Sequence, residues 1–458
     1  MPGGDEAVTG DPEENTMVSE AKRTDLDRRQ LAPAEGLRDF WYPALLDSKV
    51  GKKPVRLKML GEELCFFRDE HGNVAALWDV CPHRGASLAQ GDCHFRGTVA
   101  CAYHGWVFNG DGECVSVLSE GRNSGIPGKV QAQKYPTQTL KGLVFVWMGE
   151  GEPAPIEEDV PEEFFEEKSQ VLYRIADWPV NWRVALENSM DSHVYYVHRD
   201  SILMLARGPL DPYSRSPRIR PVFVGNGFNV IWGDAEDAGN PRRSFGFQEY
   251  FDILRGKLHY QDSHNGLGRW PKSKWRLLWN WVFIPANKRR LSKPVTTTNA
   301  LWGPGHHLPG MFRTDMRTHM YTRMCVPIDG DTTRIVYYHT TRPGNLLGRI
   351  YERVHFLLWH NWVMNIQFSN QDARIMVPQR YDTNEKLSGT DAEIIQWRKL
   401  LQRVAIEGRG VLKDLQAEHL AKEMDTTIAE GFAADQLTEQ GLEDVAEFLA
   451  GTVSGDDD

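Results

Sequence analysis

The chain has 458 residues, of which 41% are hydrophobic and 10% aromatic, so it can bury large cores and has room for more than one domain. Its formal net charge of −10 argues against nucleic acid as the main partner, because phosphate binding depends on concentrated lysine and arginine. The sequence has no run of about 18 apolar residues, which excludes a membrane-spanning helix, and its six cysteines are too few for a disulfide scaffold. We therefore expect a cytoplasmic protein whose cysteines serve metal or redox chemistry.

The first part of the chain reads as a tail followed by a small all-β domain. Residues 1–37 are acidic and lack the apolar core of a secretory signal, so we interpret them as disordered. Residues 38–150 contain five strand-like stretches separated by turn-forming residues, namely VRLKML, ELCFFRD, VAALWDV, GTVACAY and LVFVWMG. The stretch GEGEPAPIEEDVPEEFFEEK then marks a solvated connection near residue 150, where a charge run is a simpler interpretation than catalytic carboxylates.

The second part, residues 151–440, is predicted to form a larger α+β domain. Helix-forming composition places helices near residues 180–198, 345–375 and 391–406. Between the first two lie strand candidates such as PVFVGNGFNVIWG and KWRLLWNWVFIP. Strands in series with helices added later favour an antiparallel sheet covered by helices. The acidic residues 441–458 are expected to form a disordered tail.

The stretch CPHRGASLAQGDCHFRGTVACAYHGW carries the strongest chemical signal in the sequence. Each of its two short loops supplies one cysteine and one histidine, and these four residues are Cys81, His83, Cys101 and His104. Two thiolates and two imidazoles can hold one zinc ion, or a two-iron cluster in which two histidines replace two cysteines on one iron. Structural zinc sites usually group the cysteines apart from the histidines, so this pattern favours the two-iron cluster.

The remaining cysteines are not needed by this pattern. Cys93 and Cys114 lie near the two loops in the sequence, whereas Cys65 and Cys325 are expected to be small buried hydrophobic residues in strands.

CPHRG followed by CAYHGW resembles the signature of the Rieske [2Fe–2S] domain, and the whole chain resembles the Rieske non-haem iron oxygenases in motif order. The later stretch ENSMDSHVYYVHRDS is similar to the motif of the catalytic helix in that family. The resemblance implies that His193 and His198 bind a single iron, that Asn188 lies beside it, and that Asp191 is the carboxylate linking the two metal centres. It also implies that SNQDARIMVPQR supplies the third ligand, Asp372.

Two other histidine pairs compete for the single iron. His355 and His360 repeat the spacing of the first pair, but a helical rise of ~1.5 Å per residue puts His360 roughly 18 Å from Asp372, which excludes a shared iron. We therefore interpret them as packed or hydrogen-bonded residues. His306 and His307, in GPGHHLPG, are most simply part of a turn-rich loop.

The spacing around His193 is unusual in two respects. On a regular helix, His193 and His198 point about 140° apart at ~100° per residue. The family also commonly places the bridging aspartate one residue farther from the first histidine than Asp191 stands here. Both facts predict a helix end or a local distortion between Asp191 and Val194.

The resemblance implies a terminal oxygenase, which receives electrons through the Rieske cluster and activates O2 at a mononuclear Fe(II). Its expected partners are a ferredoxin, a flavin reductase or both, with NAD(P)H as the ultimate donor. A head-to-tail homotrimer is implied, because the short electron route in the family runs between subunits. The flanking residues look most similar to enzymes that hydroxylate aromatic or heteroaromatic compounds.

Three alternatives remain at this point. Relatives with the same machinery carry out oxidative O- or N-demethylation, or hydroxylate alicyclic and natural products. A Rieske electron carrier with a noncatalytic second domain would hold the cluster without the additional Fe(II). A zinc-stabilised binding module would hold no iron.

Overall fold

The computed structural model describes residues 33–190, 197–198, 201, 219–224, 226–232, 302–316, 319–379, 385–387 and 391–418. The described residues up to Arg409 belong to one compact unit, and a second begins at Gly410, in which residues 411–418 are helical. Residues 1–32 of the predicted N-terminal tail and all of residues 441–458 lie outside the described residues, whereas residues 33–37 are placed, with Leu37 buried and the carbonyl oxygen of Pro33 accepting from Trp182 Nε1 at 3.0 Å. Within the described ranges, no helix combines the length and apolarity that a membrane span needs.

The strands of the N-terminal part pair antiparallel in three small sheets. Their bounds are β1 (Trp41–Leu46), β2 (Val55–Met59), β3 (Glu62–Arg68), β4 (Val74–Trp78), β5 (Thr98–Ala100), β6 (Trp106–Asn109), β7 (Cys114–Val117), β8 (Lys134–Tyr135), β9 (Thr137–Leu140) and β10 (Leu143–Trp147). The sheet orders are β1-β10-β9, β2-β3-β4-β8 and β5-β6-β7. This confirms the predicted small all-β region, and all five strand-like stretches contain strands.

The turn between β6 and β7 shows how the sequence sets these hairpins. The side chain of Asn109 accepts hydrogen bonds from the backbone N–H groups of Asp111 and Glu113, at 3.0 and 2.9 Å. Gly112 has a φ of +83°, and a Cβ there would lie 2.3 Å from the carbonyl oxygen of Ala132. A side chain at position 112 is therefore excluded by both conformation and space.

A seven-stranded antiparallel sheet forms the centre of the second part. Its order is β11-β17-β16-β15-β14-β13-β12. The bounds are β11 (Gln170–Trp178), β12 (Ile219–Val224), β13 (Gly227–Trp232), β14 (Gly305–His307), β15 (Met311–Asp315), β16 (Met320–Pro327) and β17 (Thr333–Thr341). The predicted strands in PVFVGNGFNVIWG are confirmed, whereas those in KWRLLWNWVFIP lie outside the described residues. This arrangement, with helices added, confirms the α+β class.

The helices follow the predictions closely at the C-terminal end. They are α1 (Trp182–Glu187), α2 (Leu346–His355), α3 (Ser369–Met376) and α4 (Ala392–Glu407), with a π-helix (Phe356–Phe368) joining α2 to α3. Helical structure is therefore continuous over the segment predicted as 345–375, and α4 matches the prediction for 391–406.

Two local predictions are wrong. The helix expected over residues 180–198 is not continuous: α1 ends at Glu187, and the next three residues form a turn in which Ser189 Oγ donates to the carbonyl oxygen of Leu186 at 2.5 Å, whereas Val197 is helical again. Such a side-chain bond competes with continued helix. His306 and His307 do not lie in a loop but form β14, because they pair with β13 and β15 on either side and are buried.

We predict that His307 makes the folded chain sensitive to acid. Burial lowers the pKa of His307 to about 3, and nearby Arg313 acts in the same direction. In the unfolded chain this pKa returns to about 6.5, so the unfolded state binds more protons at intermediate pH. The free energy of unfolding should therefore be fully maintained above pH ~6.5 and fall by up to ~1.4 kcal/mol per pH unit as acid is added.

Thermal unfolding between pH 5 and pH 8 tests this expectation with the variant His307→Gln. The variant should lose less stability than the unmodified protein between pH 7 and pH 5. Met311→Ala, which truncates a buried residue that does not titrate, should lower stability to the same extent at every pH. An identical pH slope in His307→Gln and the unmodified protein would refute the assignment.

Candidate metal centres

The first cysteine–histidine loop, residues 81–86, follows β4 and closes on itself through the backbone. Gly85 N donates to the carbonyl oxygen of Cys81 at 2.9 Å, and Cys81 N donates to the carbonyl oxygen of Ala86 at 2.7 Å. Gly85 has a φ of +73°, a conformation that glycine adopts without strain. The loop buries Cys81 and leaves His83 exposed.

The second loop, residues 101–106, repeats this hydrogen-bonding pattern. Gly105 N donates to the carbonyl oxygen of Cys101 at 3.0 Å, and Cys101 N donates to the carbonyl oxygen of Trp106 at 2.8 Å. Gly105 has a φ of +66°, and a Cβ there would lie 2.7 Å from the Cβ of Leu118. The two loops thus present a cysteine and a histidine in the same way, although their histidine positions differ by one residue.

The two loops bring their side chains together at the edge of the β region. The rings of His83 and His104 have centroids 4.6 Å apart, and the ring of His83 stacks on Trp106 at 4.7 Å with an angle of 5°. Cys81 and Cys101 belong to the apolar core below. The four predicted residues therefore meet, with the thiols inside and the imidazoles outside.

Burial raises the pKa of Cys81 to about 11, and the neighbouring thiol of Cys101 acts in the same direction. Backbone N–H groups of His83 and Arg84 donate to the Cys81 sulfur and act against this shift. A metal ion that deprotonates the thiol would receive a thiolate already held by these two donors. The donor set therefore fits a cluster bound by two cysteines and two histidines.

A second group of metal-binding side chains meets between the segment near residue 198 and α3. His198 Nε2 lies 2.8 Å from Asp372 Oδ1, and both side chains are buried, at 0% and 3% exposure. Metal–ligand bonds of about 2.1 Å at right angles put adjacent donors about 3 Å apart. The separation of these two atoms thus fits adjacent positions on one metal ion.

Gln371, which the sequence reasoning missed, fixes the orientation of His198. Its Oε1 lies 3.0 Å from His198 Nδ1, and an amide oxygen can only accept, so the proton of the neutral ring is on Nδ1. In that tautomer Nε2 carries the lone pair that a metal needs, on the side where Asp372 lies. Phe368 stacks on one face of the His198 imidazole, with ring centroids 3.5 Å apart. The adjacency of Gln371 to Asp372 was the one signal available in the sequence.

The other predicted residues of this centre are placed only in part. Asn188 follows α1 directly, and within the described residues its buried Oδ1 accepts no hydrogen bond. Asp191 and His193 lie outside the described residues, and so does the expected distortion between Asp191 and Val194.

Polar contacts from β14 and α4 hold the end of α1 and the turn after it to other parts of the chain. His306 Nε2 lies 2.9 Å from Ser189 Oγ, and His306 Nδ1 lies 2.5 Å from Glu393 Oε1 of α4. Arg398 of the same helix donates to both carboxylate oxygens of Glu187, at 2.8 and 2.7 Å. Helix α4 and strand β14 therefore position the segment that leads to residues 191–198. These contacts could not be predicted from the sequence, because they join segments far apart in the chain.

The remaining histidines and cysteines lie outside the two loops. His355 and His360 have ring centroids 6.3 Å apart, and His360 is buried and contacts the ring of Phe356. Cys65, Cys114 and Cys325 are buried, Cys93 is half-buried, and all six cysteines are unpaired.

Two family models match consecutive parts of the chain. The Rieske [2Fe-2S] domain matches residues 40–136, and a domain described as homotrimeric ring hydroxylase matches residues 147–216. The terminal oxygenase component of carbazole 1,9a-dioxygenase from Sphingomonas sp is 34% identical over 204 residues, which are 43% of this chain and 52% of that protein. This chain is a homologue of the Rieske terminal oxygenases.

A second relative of this Rieske oxygenase homologue is the oxygenase subunit of phthalate 4,5-dioxygenase from Pseudomonas putida. It is 32% identical over 210 residues, 45% of this chain and 46% of that protein. The aligned part therefore spans about half the length of these relatives.

Solved structures show the same fold over most of the chain. The terminal oxygenase of carbazole 1,9a-dioxygenase from Nocardioides aromaticivorans superposes with a TM-score of 0.63 at 23% identity, covering 84% of this chain and 98% of that one. The oxygenase in a reduced complex with ferredoxin gives a TM-score of 0.61 at 24% identity, covering 84% and 94%. The homologue therefore has the fold of a Rieske terminal oxygenase.

We predict that Gln371→Leu weakens iron binding at the second centre by about 10- to 100-fold, because it removes the acceptor that orients His198. Gln371→Glu keeps an acceptor and should retain the metal. Iron per chain after dialysis against a weak chelator measures the effect, and visible absorbance reports the other centre. Gln379→Leu, the same change at an exposed site, is the matched control. Iron retention in Gln371→Leu equal to that control would contradict the prediction.

Proposed function

We propose that this Rieske oxygenase homologue is the terminal component of an aromatic ring-hydroxylating oxygenase. The observation that carries the proposal is the 2.8 Å approach of His198 Nε2 to Asp372 Oδ1 in a chain that also pairs two cysteine–histidine loops. An electron carrier needs the loops alone, whereas a mononuclear iron site of this type needs two histidines and one carboxylate, of which His198 and Asp372 would be two. When bound, the two metal groups supply one-electron storage and O2 activation.

In this proposal, Cys81, His83, Cys101 and His104 hold the [2Fe–2S] cluster. His83 is exposed and His104 is half-buried in the single chain, so the histidine side of the cluster faces outward. An electron donor can approach that side, and a neighbouring subunit can receive the electron there. The buried cysteines hold the opposite side within the apolar core.

His193, His198 and Asp372 are the proposed ligands of the single iron. Three protein ligands leave other positions of the metal for O2 beside a bound substrate. Phe368 covers one face of the His198 ring and keeps water from it. Asn188, at the end of α1, supplies a buried amide oxygen on the chain segment that leads to His193.

The proposed substrate is a small aromatic or heteroaromatic compound, to which one or both atoms of O2 are added. The relatives named for carbazole and phthalate dioxygenation support this class. Demethylation is the second candidate, because the oxygenase component of dicamba O-demethylase from Stenotrophomonas maltophilia is 30% identical over 195 residues. Product analysis with labelled O2 separates the two. Ring hydroxylation places labelled oxygen on the aromatic product, whereas demethylation releases the methyl carbon and leaves no labelled oxygen on the ring.

The proposed partners are a ferredoxin, a flavin reductase or both, and two further copies of this chain. The ferredoxin complex among the similar structures supports the first, and the description of the matched ring-hydroxylase domain supports the homotrimer. We further propose a boundary near residue 150 between a Rieske domain over 38–150 and a catalytic domain over 151–440. A cytoplasmic location is part of the same proposal.

Quantitation of iron and sulfide on anaerobically purified protein tests the function. The oxygenase should contain about three iron atoms and two sulfides per chain, of which one iron binds nitric oxide. Asp372→Ala should lose about one iron and keep the cluster, whereas Asp331→Ala, a change at an exposed carboxylate, should keep all three. Two iron atoms in the unmodified protein would indicate an electron carrier, and zinc without iron would indicate a binding module.

Asp191→Ala should leave both metal groups bound but greatly slow turnover, because Asp191 is proposed to connect His104 of one subunit to the iron site of the next. The reduced enzyme, mixed with O2 and substrate in a single turnover, should reoxidise its cluster more slowly. Asp191→Glu, which keeps the carboxylate, is the matched comparison. Normal coupled activity in Asp191→Ala would contradict the bridging role.

A further inference from the structure

A third cluster of metal-binding side chains lies apart from the two centres described above. His319 precedes β16, His339 lies within β17, and His360 lies in the π-helix. Their ring centroids are 4.0, 4.3 and 4.1 Å apart in the pairs 319–339, 319–360 and 339–360. Three segments of the chain thus converge on one point through three imidazoles.

The donor atoms lie at a separation that one ion can bridge. One ring nitrogen from each histidine lies within 4.8 Å of the other two. Zinc–nitrogen bonds of about 2.1 Å in tetrahedral geometry put the ligand nitrogens about 3.4 Å apart. Small side-chain rotations that move each nitrogen by about 1 Å would therefore complete the site. His339 and His360 are buried at 3% and 7% exposure, whereas His319 is half-buried.

The buried ring nitrogens of His339 are not explained by packing alone. Within the part of the chain that the structure describes, both of its ring nitrogens are buried and neither makes a hydrogen bond. Burying such a polar group without a partner is costly. The carboxylate oxygen Oε2 of Glu352 on α2 lies 3.9 Å from His339 Nε2, beyond hydrogen-bond distance.

The charge environment keeps this ring in the form that binds metal. Burial lowers the pKa of His339 to about 2, and the nearby His319, His360 and His355 act in the same direction. The neutral imidazole has a lone pair available, and a divalent cation is attracted by the carboxylate of Glu352.

We propose that His319, His339 and His360 form a binding site for a divalent transition-metal cation of the Zn²⁺ type, with Glu352 as the carboxylate beside it. Three neutral imidazoles suit zinc, copper or nickel, and the absence of oxygen ligands in the described set disfavours magnesium and calcium. The site is separate from the iron centre, because His360 is twelve residues before Asp372 along a continuous helix.

A cation at this site would join the central sheet to the helix that carries Asp372. His339 lies in β17, which pairs with β11 and β16, and His360 lies in the helical segment that continues into α3. The bound ion would therefore be structural and would fix where α3 begins relative to the sheet.

Zinc binding to the iron-loaded holoenzyme tests the proposal. With free zinc held in the low micromolar range by a weak chelator, the unmodified protein should take up about one zinc per chain. His339→Leu and His360→Phe should each weaken this uptake by at least about tenfold, and Glu352→Gln by about 10- to 100-fold. His71→Leu, a change at an exposed histidine, should bind zinc as the unmodified protein does.

Two further readings make the outcome decisive. Iron content and the visible absorbance of the cluster should be unchanged in every variant, which shows that the other centres and the fold are intact. X-ray absorption at the zinc edge should show imidazole ligands and no sulfur. Equal zinc uptake in the unmodified protein and in both histidine variants would overturn the proposal, as would zinc uptake matched by loss of iron.

Discussion

The meeting of His198 with Asp372 is the constraint on which the second half of the molecule depends. Two polar groups that are costly to bury lie 2.8 Å apart, and they come from distant parts of the chain. This contact therefore fixes the position of Asp372, and with it the position of α3, relative to His198. Helix α4 holds the end of α1 through Arg398 on Glu187, and through Glu393 it holds His306, which contacts Ser189 in the next turn.

A structural feature could be predicted from the sequence when the residues that form it are close together along the chain. The loops around Cys81 and Cys101 are local, since each is closed by a hydrogen bond from a glycine four residues after its cysteine. Their spacing was therefore visible in the sequence. The helices after residue 345 were equally predictable, because a long stretch without helix breakers favours helix whatever it packs against.

The features that the sequence did not predict are non-local or arise from competition within the backbone. Gln371 orients His198, which is distant in the sequence, so its role depends on the folded chain. The glycines and prolines that flank His306 predict a turn. In the folded chain, pairing with strands on both sides outweighs that local preference. The early end of α1 has another cause, since the hydroxyl of Ser189 donates a hydrogen bond to the carbonyl oxygen of Leu186.

The parallel stacking of His83 on Trp106 would affect the rate of electron transfer in the proposed function. An imidazole stacked on an indole has less freedom to rotate when the charge of a bound group changes. With a cluster bound, these surroundings would need little rearrangement between its oxidation states. In the proposed oxygenase, Trp106 would thereby lower the reorganisation energy of electron transfer on the outward-facing side of the two loops.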